Sequence, residues 1–468
     1  MQRERIVLEV KAEVYSPLVI DKIELIGRMR TSLERMVEET ARVASGGKTF
    51  YAIYVEGLYG SGKTLLMRKY CNEVLKAVEN VIPIYVYLGE QDFRPFSTLK
   101  NYRNIVELFI TKNIVRPSTI GSPGLWKNRF QVLDKAVKDV ENLNISELEK
   151  FYKALEVIER EGYYPVVVFD EFERLLYTGE GLRTDEGKKC FAEFAKGYLE
   201  VVRGQRFPGV FALVTTFPLL DLLKRSINLR FPHITDISKH MGLDLGTHPE
   251  QFPMIAPHVV QSYDERVEVS WTASDLDLLA RKYNLIVHTD LINIIARVLP
   301  TPRAIINIAR EALRIGIKDV VSTRNFIEII KPRYMKFKER LFSEKVNGKF
   351  IIQPRTTWHE KFEKLLREGV FEATREKYLE VAKVLNIEFI EEDKESVRKA
   401  RQKASNTLRK LSNLGLYEAK GGGIYLLNPY LLAYLLGIER LPSGEFTSLD
   451  MIIEDIKMRI KEQRRRRK

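Results

Sequence analysis

The eight residues Gly57-Leu-Tyr-Gly-Ser-Gly-Lys-Thr64 constrain the fold of this chain more than any other segment. They match the pattern G-x-x-x-x-G-K-[ST], in which a glycine-rich turn joins a strand to the first turn of a helix. An apolar run at 51–55 precedes the motif, and an amphipathic stretch at 65–78 follows it. A strand and a helix in these positions predict a loop whose backbone N–H groups surround a phosphate group.

The residue types in this loop match the chemistry of nucleotide phosphates. Glycines allow the backbone to turn its N–H groups inward, and the dipole of the following helix adds positive charge at the same point. Lys63 is predicted to reach the β- and γ-phosphates, and the hydroxyl of Thr64 to ligate Mg²⁺. The predicted ligands are ATP and Mg²⁺. The predicted binding residues are Gly57, Gly60, Ser61, Gly62, Lys63, Thr64 and Leu65.

A second motif, Val166-Val-Val-Phe-Asp-Glu171, supplies the acids that a nucleotide hydrolase needs opposite such a loop. An apolar strand that ends in two acids predicts Asp170 as a ligand of Mg²⁺ and Glu171 as the general base that polarises water. Glu173 is a weaker candidate for the base because it lies two residues further along the chain. The alternative interpretation is a buried strand whose terminal acids only face solvent.

Helix-like stretches alternate with four apolar runs, at 51–55, 82–88, 166–169 and 210–215. This alternation predicts an open parallel α/β sheet with an insertion at about 90–160 that carries extra helices. We expect the run at 210–215 to lie between the first and third strands. It ends in Thr215 and Thr216, either of which could contact the γ-phosphate or orient water. Capping of the following turn is the alternative role.

Arginines elsewhere could sense or stabilise the charge of the γ-phosphate. The segment Leu299-Pro-Thr-Pro-Arg303 begins an apolar helix, from which Arg303 could reach the phosphate and report the nucleotide state. Arg225 and Arg230 follow the fourth strand, and either could act on the nucleotide of a neighbouring chain as an arginine finger. For these two, a solvated surface arginine is the alternative.

Composition excludes several classes of protein. Apolar residues make up 45% of the 468 residues, which is too many for a disordered chain. Cys71 and Cys190 are the two cysteines, so neither a disulfide framework nor a cysteine zinc site can form. The sequence has no run of about 18 apolar residues and no signal-peptide pattern, so we expect no membrane span. The expected location is cytoplasmic, associated with the nucleoid if the chain binds DNA.

The net charge of +13 at pH 7 favours a polyanionic partner, nucleic acid ahead of an anionic membrane surface. Residues 351–468 carry 24 basic and 18 acidic side chains, so about a quarter of the chain holds nearly half of the excess. No amphipathic apolar face accompanies these charges outside a foldable domain, which disfavours a membrane. The charge therefore points to a C-terminal domain that binds DNA.

Helical patterning at 274–331 predicts a small all-helical unit behind a proline- and histidine-rich connector at 231–261. Four histidines in the connector suggest a metal site, but no two have the spacing of one helix face, which favours a plain connector. A basic linker then precedes the next unit, and it could track a duplex or simply be exposed. The linker residues are Lys331, Arg333, Lys336, Lys338 and Arg340. The predicted domains are a core at 1–260, a lid and linker at 261–340, a further domain at 350–440 and a basic tail at 441–468.

The segment 356–437 has the pattern of a winged helix. Two helical stretches precede a third at 395–411, which has no acid between Ser396 and Asn413. Its apolar face is Val397, Ala400, Ala404, Leu408 and Leu411. A Lys-Gly-Gly-Gly turn between two short apolar runs then predicts a hairpin, the wing. The predicted DNA contacts are Arg398, Arg401, Gln402, Lys403, Arg409 and Lys420. Packing of this domain against a protein is the alternative.

The order of these parts resembles an AAA+ ATPase, and Thr301-Pro-Arg-Ala-Ile-Ile-Asn-Ile-Ala-Arg-Glu-Ala-Leu313 is similar to the second sensor of the origin-recognition initiators. Those proteins are archaeal and eukaryotic origin binders and helicase loaders that end in a winged helix. The resemblance implies an α/β phosphate-loop core with a parallel sheet, an all-helical lid and a winged-helix domain. It also implies Arg303 as second sensor and Thr215 or Thr216 as first sensor, a place often held by Asn.

These observations predict an Mg-dependent ATPase that acts as a nucleotide switch on double-stranded DNA, in replication initiation or helicase loading. The resemblance implies self-association through the ATPase domain, and a helicase or another protein is a further expected partner. Two alternatives fit the same motifs. One is a regulatory, STAND-like ATPase that binds DNA or protein through its winged helix. The other is a transposition- or partition-type ATPase that forms a scaffold on DNA.

Overall fold

The structure is a computed structural model that divides into two compact units. The described residues are 24–87, 126–145, 147–172, 177–178, 181–182, 198, 200–201, 206–215, 263–323, 325–346, 349–352, 357–438 and 448–465. Within them, the first unit contains residues up to 58 and from 62 to 269. The second contains the short segment 59–61 and everything from Ser270 onward.

The first unit is built on a five-stranded parallel sheet. Its strands and one two-residue hairpin are, in chain order, β1 (Phe50–Gly57), β2 (Val81–Tyr87), β3 (Tyr164–Asp170), β4 (Tyr177–Thr178), β5 (Gly181–Leu182), β6 (Gly209–Thr215) and β7 (Glu265–Val269). The order in the sheet is β2-β3-β6-β1-β7, and β4 pairs with β5 in a separate sheet. The four predicted apolar runs are therefore confirmed as strands, and β6 lies between β1 and β3 as expected. Because β3 and β6 are almost wholly buried, they read as continuous apolar runs rather than as alternating ones.

The edge strand β7 was not predicted from the sequence. It pairs with β1 from Ile53↔Glu265 to Gly57↔Val269, on the C-terminal side of the expected core boundary at 260. Its sequence does not have the apolar pattern of a buried strand, because one of its buried positions is the charged residue Glu265. That carboxylate accepts from the hydroxyl of Tyr51 and forms an ion pair with Arg35 at 3.1 Å. Both partners come from distant parts of the chain.

In the part of this unit that the structure describes, the helices against the sheet are α1 (Arg28–Ala44), α2 (Lys63–Ala77), α3 (Lys127–Glu141) and α4 (Glu147–Arg160). Helices α3 and α4 lie within the predicted insertion at 90–160, where residues 88–125 are outside the described part of the chain. Each helix turns one apolar face to the core, which is the arrangement expected for an α/β layer. The connector at 231–261, with its histidines, also lies outside the described residues.

The second unit contains the remaining elements. They are α5 (Ala273–Lys282), α6 (Thr289–Val298), α7 (Pro302–Arg314), α8 (Phe326–Phe342), β8 (Ser343–Val346), β9 (Lys349–Ile352), α9 (Thr357–Arg367), β10 (Glu372–Ala373), α10 (Tyr378–Val384), α11 (Lys394–Asn413), β11 (Tyr417–Ala419), β12 (Tyr425–Leu427), α12 (Pro429–Leu435) and α13 (Leu449–Arg465). The predicted all-helical stretch thus contains α5 to α7 and the start of α8. Helix α8 also contains all five residues of the expected basic linker.

Four basic residues of that linker form ion pairs within the second unit, and one of them, Lys331, pairs with Glu328 of α8 itself at 3.2 Å. Lys338 pairs with Glu363 at 3.0 Å, and Arg333 with Glu311 at 3.4 Å. The side chain of Arg340 lies 2.6 Å from the carboxylate of Asp450. These contacts tie α8 to α7, α9 and α13. Whether this helix follows a DNA duplex stays a prediction.

The last predicted domain has the expected order of elements. Helices α9, α10 and α11 are followed by the hairpin β11–β12, and β10 joins it in an antiparallel sheet of order β10-β12-β11. The hairpin turn contains Gly421, Gly422 and Gly423, all with positive φ, a conformation that favours glycine. The predicted fold class, a parallel α/β core followed by helices and a small antiparallel sheet, is confirmed. Among the described helices none is long and apolar enough to span a membrane.

Candidate nucleotide-binding site and nucleic-acid interface

The phosphate loop follows β1 directly and ends where α2 begins. Gly60 and Gly62 have φ values of 81° and 101°, in the left-handed region that other residues rarely adopt. Lys63 is the first residue of α2 and is buried, and its ammonium donates to the carbonyl oxygens of Gly57 at 2.9 Å and Leu58 at 3.1 Å. The loop therefore folds back over its own lysine, which places a positive charge inside the turn.

The two predicted magnesium ligands meet. The hydroxyl of Thr64 donates to Oδ2 of Asp170 at 2.7 Å, although 106 positions separate them in sequence. The sheet brings about this contact, because β1 and β3 both run toward the edge where α2 starts. The backbone N–H of Glu171 donates to the other oxygen, Oδ1, at 2.9 Å.

Tyr85 is a third donor to this carboxylate, and the sequence did not predict it. Its hydroxyl donates to Oδ2 of Asp170 at 2.5 Å. The guanidinium of Arg68, on α2, lies over the Tyr85 ring at 4.7 Å from the centroid. The available signal was a tyrosine within the apolar run at 82–88, since a buried tyrosine hydroxyl needs a hydrogen-bond partner. That signal does not identify the partner.

Burial raises the pKa of Asp170 above its usual value, because the ionised carboxyl is removed from water. The hydrogen bonds from Tyr85 and Thr64 and the nearby ammonium of Lys63 oppose this effect, while the charge of Glu171 adds to it. A buried carboxylate beside a hydroxyl is a hard-oxygen donor pair of the kind that holds Mg²⁺ together with phosphate oxygens. The residues thus fit the ion that the sequence predicts.

Glu171, the predicted general base, has an unusual backbone. Its φ is 55°, in the left-handed region, and it follows the last residue of β3. A non-glycine residue in this region is strained, and such strain occurs preferentially at functional sites. The side chain is buried, with 8% of its surface exposed. This local geometry motivates the hypothesis that position 171 is functional, and the role as base stays a prediction.

Of the two candidates for the first sensor, the structure describes Thr215 and not Thr216. Thr215 ends β6 and is buried, and its Oγ1 lies 3.1 Å from the hydroxyl of Tyr54, with either group able to donate. The threonine hydroxyl is therefore engaged with β1. Thr216, Arg225 and Arg230 lie outside the described residues.

Arg303, the predicted second sensor, contacts the tip of the phosphate loop within the second unit. Its guanidinium lies 4.7 Å from the centroid of the Tyr59 ring, an attractive cation–π arrangement. A Cβ atom added at Gly60 would lie 2.9 Å from the Cβ of Arg303, so this approach requires glycine. Trp271 donates from its indole nitrogen to the carbonyl oxygen of Ser61 at 2.7 Å. Tyr59 and Trp271 were not predicted to contribute, because Tyr59 occupies a variable position of the motif and Trp271 lies outside it.

Helix α11 separates an apolar face from a basic one, as the sequence predicts. Four of the five residues of the predicted apolar face are buried, and Val397 is half-buried. The polar surface of the helix contains the exposed side chains Arg398, Arg401, Gln402, Lys403 and Arg409. This arrangement presents several hydrogen-bond donors on one exposed surface.

Two of the predicted DNA contacts have partners on the protein surface. Arg409 donates to Asn406 at 3.1 Å, and Lys420 forms an ion pair with Glu418 at 2.6 Å. Exposed pairs of this kind stabilise a protein by about 0–1 kcal/mol, so they compete weakly with a phosphate group. Side chains of the basic tail from 463 onward lie outside the described residues.

No protein-family model matches the chain, and no curated protein matches it. Among solved structures, the ORC2 protein of Aeropyrum pernix in ADPNP–ADP complexes is 14% identical, with a TM-score of 0.42 over 96% of this chain and 98% of its own. CDC6P of Pyrobaculum aerophilum is 13% identical, with a TM-score of 0.44 over 96% and 98%. The ORC1 protein of Aeropyrum pernix in complex with DNA is 14% identical, with a TM-score of 0.40 over 97% and 95%. Such identities assign no role to any residue.

Proposed function

We propose that this chain is an ATP-hydrolysing switch that binds double-stranded DNA and acts in replication initiation or helicase loading. The observation that carries the ATPase part is the 2.7 Å hydrogen bond between Thr64 and Asp170. A glycine-rich loop with a buried lysine, followed by a threonine that donates to a buried aspartate, is a set that phosphate chemistry uses and that chance packing rarely assembles.

In the proposed reaction, water attacks the γ-phosphorus of ATP and the bond to the β–γ bridging oxygen breaks, which releases ADP and phosphate. Loop N–H groups and Lys63 bind the phosphate oxygens and stabilise the charge that spreads over them. Thr64 and Asp170 would hold Mg²⁺, which supplies further neutralisation of that charge when bound. Glu171 accepts the proton of the attacking water.

Arginines complete the proposed site. Arg303, which contacts the tip of the phosphate loop, would respond to the γ-phosphate as second sensor. An arginine of a neighbouring chain, for which Arg230 is the candidate, would stabilise the transition state in trans. Thr215 or Thr216 would orient the water. The proposed switch therefore requires self-association through the ATPase domain.

The DNA-binding part of the proposal is supported by α11. Its exposed basic and amide side chains suit the phosphates and base edges of a major groove, and its opposite face is anchored in the core. Lys420, in the turn between β11 and β12, would contact a neighbouring phosphate. A chain of this kind binds DNA with an affinity that falls steeply as salt rises.

The test measures ATP turnover with and without duplex DNA, together with footprints on genomic fragments. The proposal expects slow turnover and a footprint on a defined repeat. Sequence-blind filaments would instead support a transposition- or partition-type scaffold. Binding of a protein in place of DNA would support the regulatory alternative. Absence of nucleotide binding by the wild-type chain would contradict every version of the proposal.

A further inference from the structure

We propose that Tyr85 is a positioning residue that orients the metal-binding carboxylate of Asp170. The hydroxyl of Tyr85 and the hydroxyl of Thr64 converge on the same oxygen, Oδ2, at 2.5 and 2.7 Å. This inference deepens the proposed function and rests on it, because it concerns the ion that the nucleotide would bring.

Three donors together determine how the carboxylate lies. Two hydroxyls occupy Oδ2, and the N–H of Glu171 occupies one position on Oδ1 at 2.9 Å. An ionised carboxylate has about four acceptor positions. One position therefore remains, on Oδ1, for a cation or for a water bound to it. Thr64 donates with its hydrogen and so keeps the lone pairs of its Oγ1 available.

Tyr85 is itself held firmly in place. It lies in β2, where its register partner on β3 is Val168, two residues before Asp170. The ring is buried and is covered on one side by the guanidinium of Arg68. A rigid ring with its hydroxyl on a charged oxygen makes a hydrogen bond of the short, strong class. The hydroxyl contacts the carboxylate of Asp170, so we expect its effect to be on the orientation of that group.

Loss of the Tyr85 hydroxyl should lower the affinity for the metal ion more than the affinity for the nucleotide. Without the Tyr85 hydroxyl, Oδ2 keeps one donor, and the carboxylate gains rotational freedom that an incoming cation must remove. Metal-coupled binding should weaken, whereas the loop and Lys63 should bind the phosphates as before in the absence of metal. A purely structural role would lower stability without separating these two affinities.

The experiment compares the full chain carrying Tyr85→Phe with the same chain carrying Tyr51→Phe. Tyr51 is a matched control because it too is buried in the sheet and donates its hydroxyl to a buried carboxylate, that of Glu265. Binding of a fluorescent non-hydrolysable ATP analogue is titrated with Mg²⁺ and, separately, measured in EDTA. Paramagnetic resonance of Mn²⁺ measures the bound ion directly.

In Tyr85→Phe we expect the half-saturating Mg²⁺ concentration to rise about tenfold, since a hydrogen bond to a charged group contributes a factor of that order. Affinity in EDTA should stay within twofold of wild type, and Tyr51→Phe should match wild type in both readouts. An unchanged Mg²⁺ requirement in Tyr85→Phe, or an equal rise in Tyr51→Phe, would overturn the inference. A wild-type chain that binds no nucleotide would instead refute the proposed function, and the inference with it.

Discussion

The hydroxyl of Thr64 lies 2.7 Å from Oδ2 of Asp170 and donates a hydrogen bond to it. Thr64 belongs to the first turn of α2, which follows β1, and Asp170 is the last residue of β3. In the sheet, β6 lies between β1 and β3. Their meeting joins the phosphate loop to the acidic strand end.

Replacing Glu171 by Gln should abolish most ATP hydrolysis and retain ATP binding. The amide keeps the shape of the side chain but cannot accept the proton of the attacking water, so the turnover rate should fall roughly a hundredfold to ten-thousandfold. Steady-state turnover and nucleotide affinity measure the two effects. The matched control is Glu268→Gln, an exposed glutamate of β7. Turnover that persists in Glu171→Gln would show that another group is the base.

Replacing Asp170 by Asn should remove the loss of stability that ionisation of this carboxyl causes in the nucleotide-free chain as the pH rises. Burial raises the pKa of this carboxyl in the folded state, so folding favours its protonated form. The stability that the protonated carboxyl provides is complete below the unfolded pKa and is lost as the pH rises through the folded pKa. Asparagine does not ionise and avoids this loss.

The difference in unfolding free energy between Asp170→Asn and wild type should therefore be larger at pH 7 than at pH 4. Urea titrations at the two pH values measure it. A difference that does not change with pH would mean that the carboxyl titrates alike in the folded and unfolded chain. Mg²⁺-dependent nucleotide binding should be lost in the same variant, because the carboxylate is the proposed ligand.

Replacing Gly60 by Ala should weaken ATP binding as well as stability. The new methyl group would be at a φ of 81° and 2.9 Å from the Cβ of Arg303, so backbone strain and a steric clash combine. Gly46→Ala is the matched control, because Gly46 has a φ of 77° and an added Cβ there meets no atom within 4 Å. The strain alone costs about 1–2 kcal/mol. If both variants lost the same stability and kept the ATP affinity of wild type, the close contact between Gly60 and Arg303 would have no role in ATP binding.

Replacing Arg401 by Ala should reduce DNA affinity and the steepness of its salt dependence. Loss of one phosphate contact lowers the slope of log affinity against log salt by about one. Lys318→Ala removes one exposed positive charge of the second unit that is not part of α11, and it is the matched control. Fluorescence anisotropy at several salt concentrations measures both. If the slope of log affinity against log salt were the same for the two variants, Arg401 would not be a phosphate contact.

Much of the fold could be predicted because the signals are local. The glycines of the loop require unusual backbone angles at particular positions, and an apolar run shows a buried strand wherever it lies. For the same reason, the three- to four-residue spacing of the apolar side chains in α11 identified its buried and exposed faces. The strand β7 escaped prediction because the burial of Glu265 depends on Tyr51 and Arg35, which come from β1 and α1. The basic residues of α8 likewise show their ion-pair partners only in three dimensions.

Local sequence patterns are enough to locate the phosphate loop, the acidic end of β3 and the basic face of α11. These depend on backbone angles and periodicity over a few residues. Tertiary structure alone decided that Thr64, Asp170 and Tyr85 meet at one oxygen, and that Arg303 stacks on Tyr59. Such contacts join residues that are remote in sequence, and their distances follow from strand order and packing, which no short segment encodes.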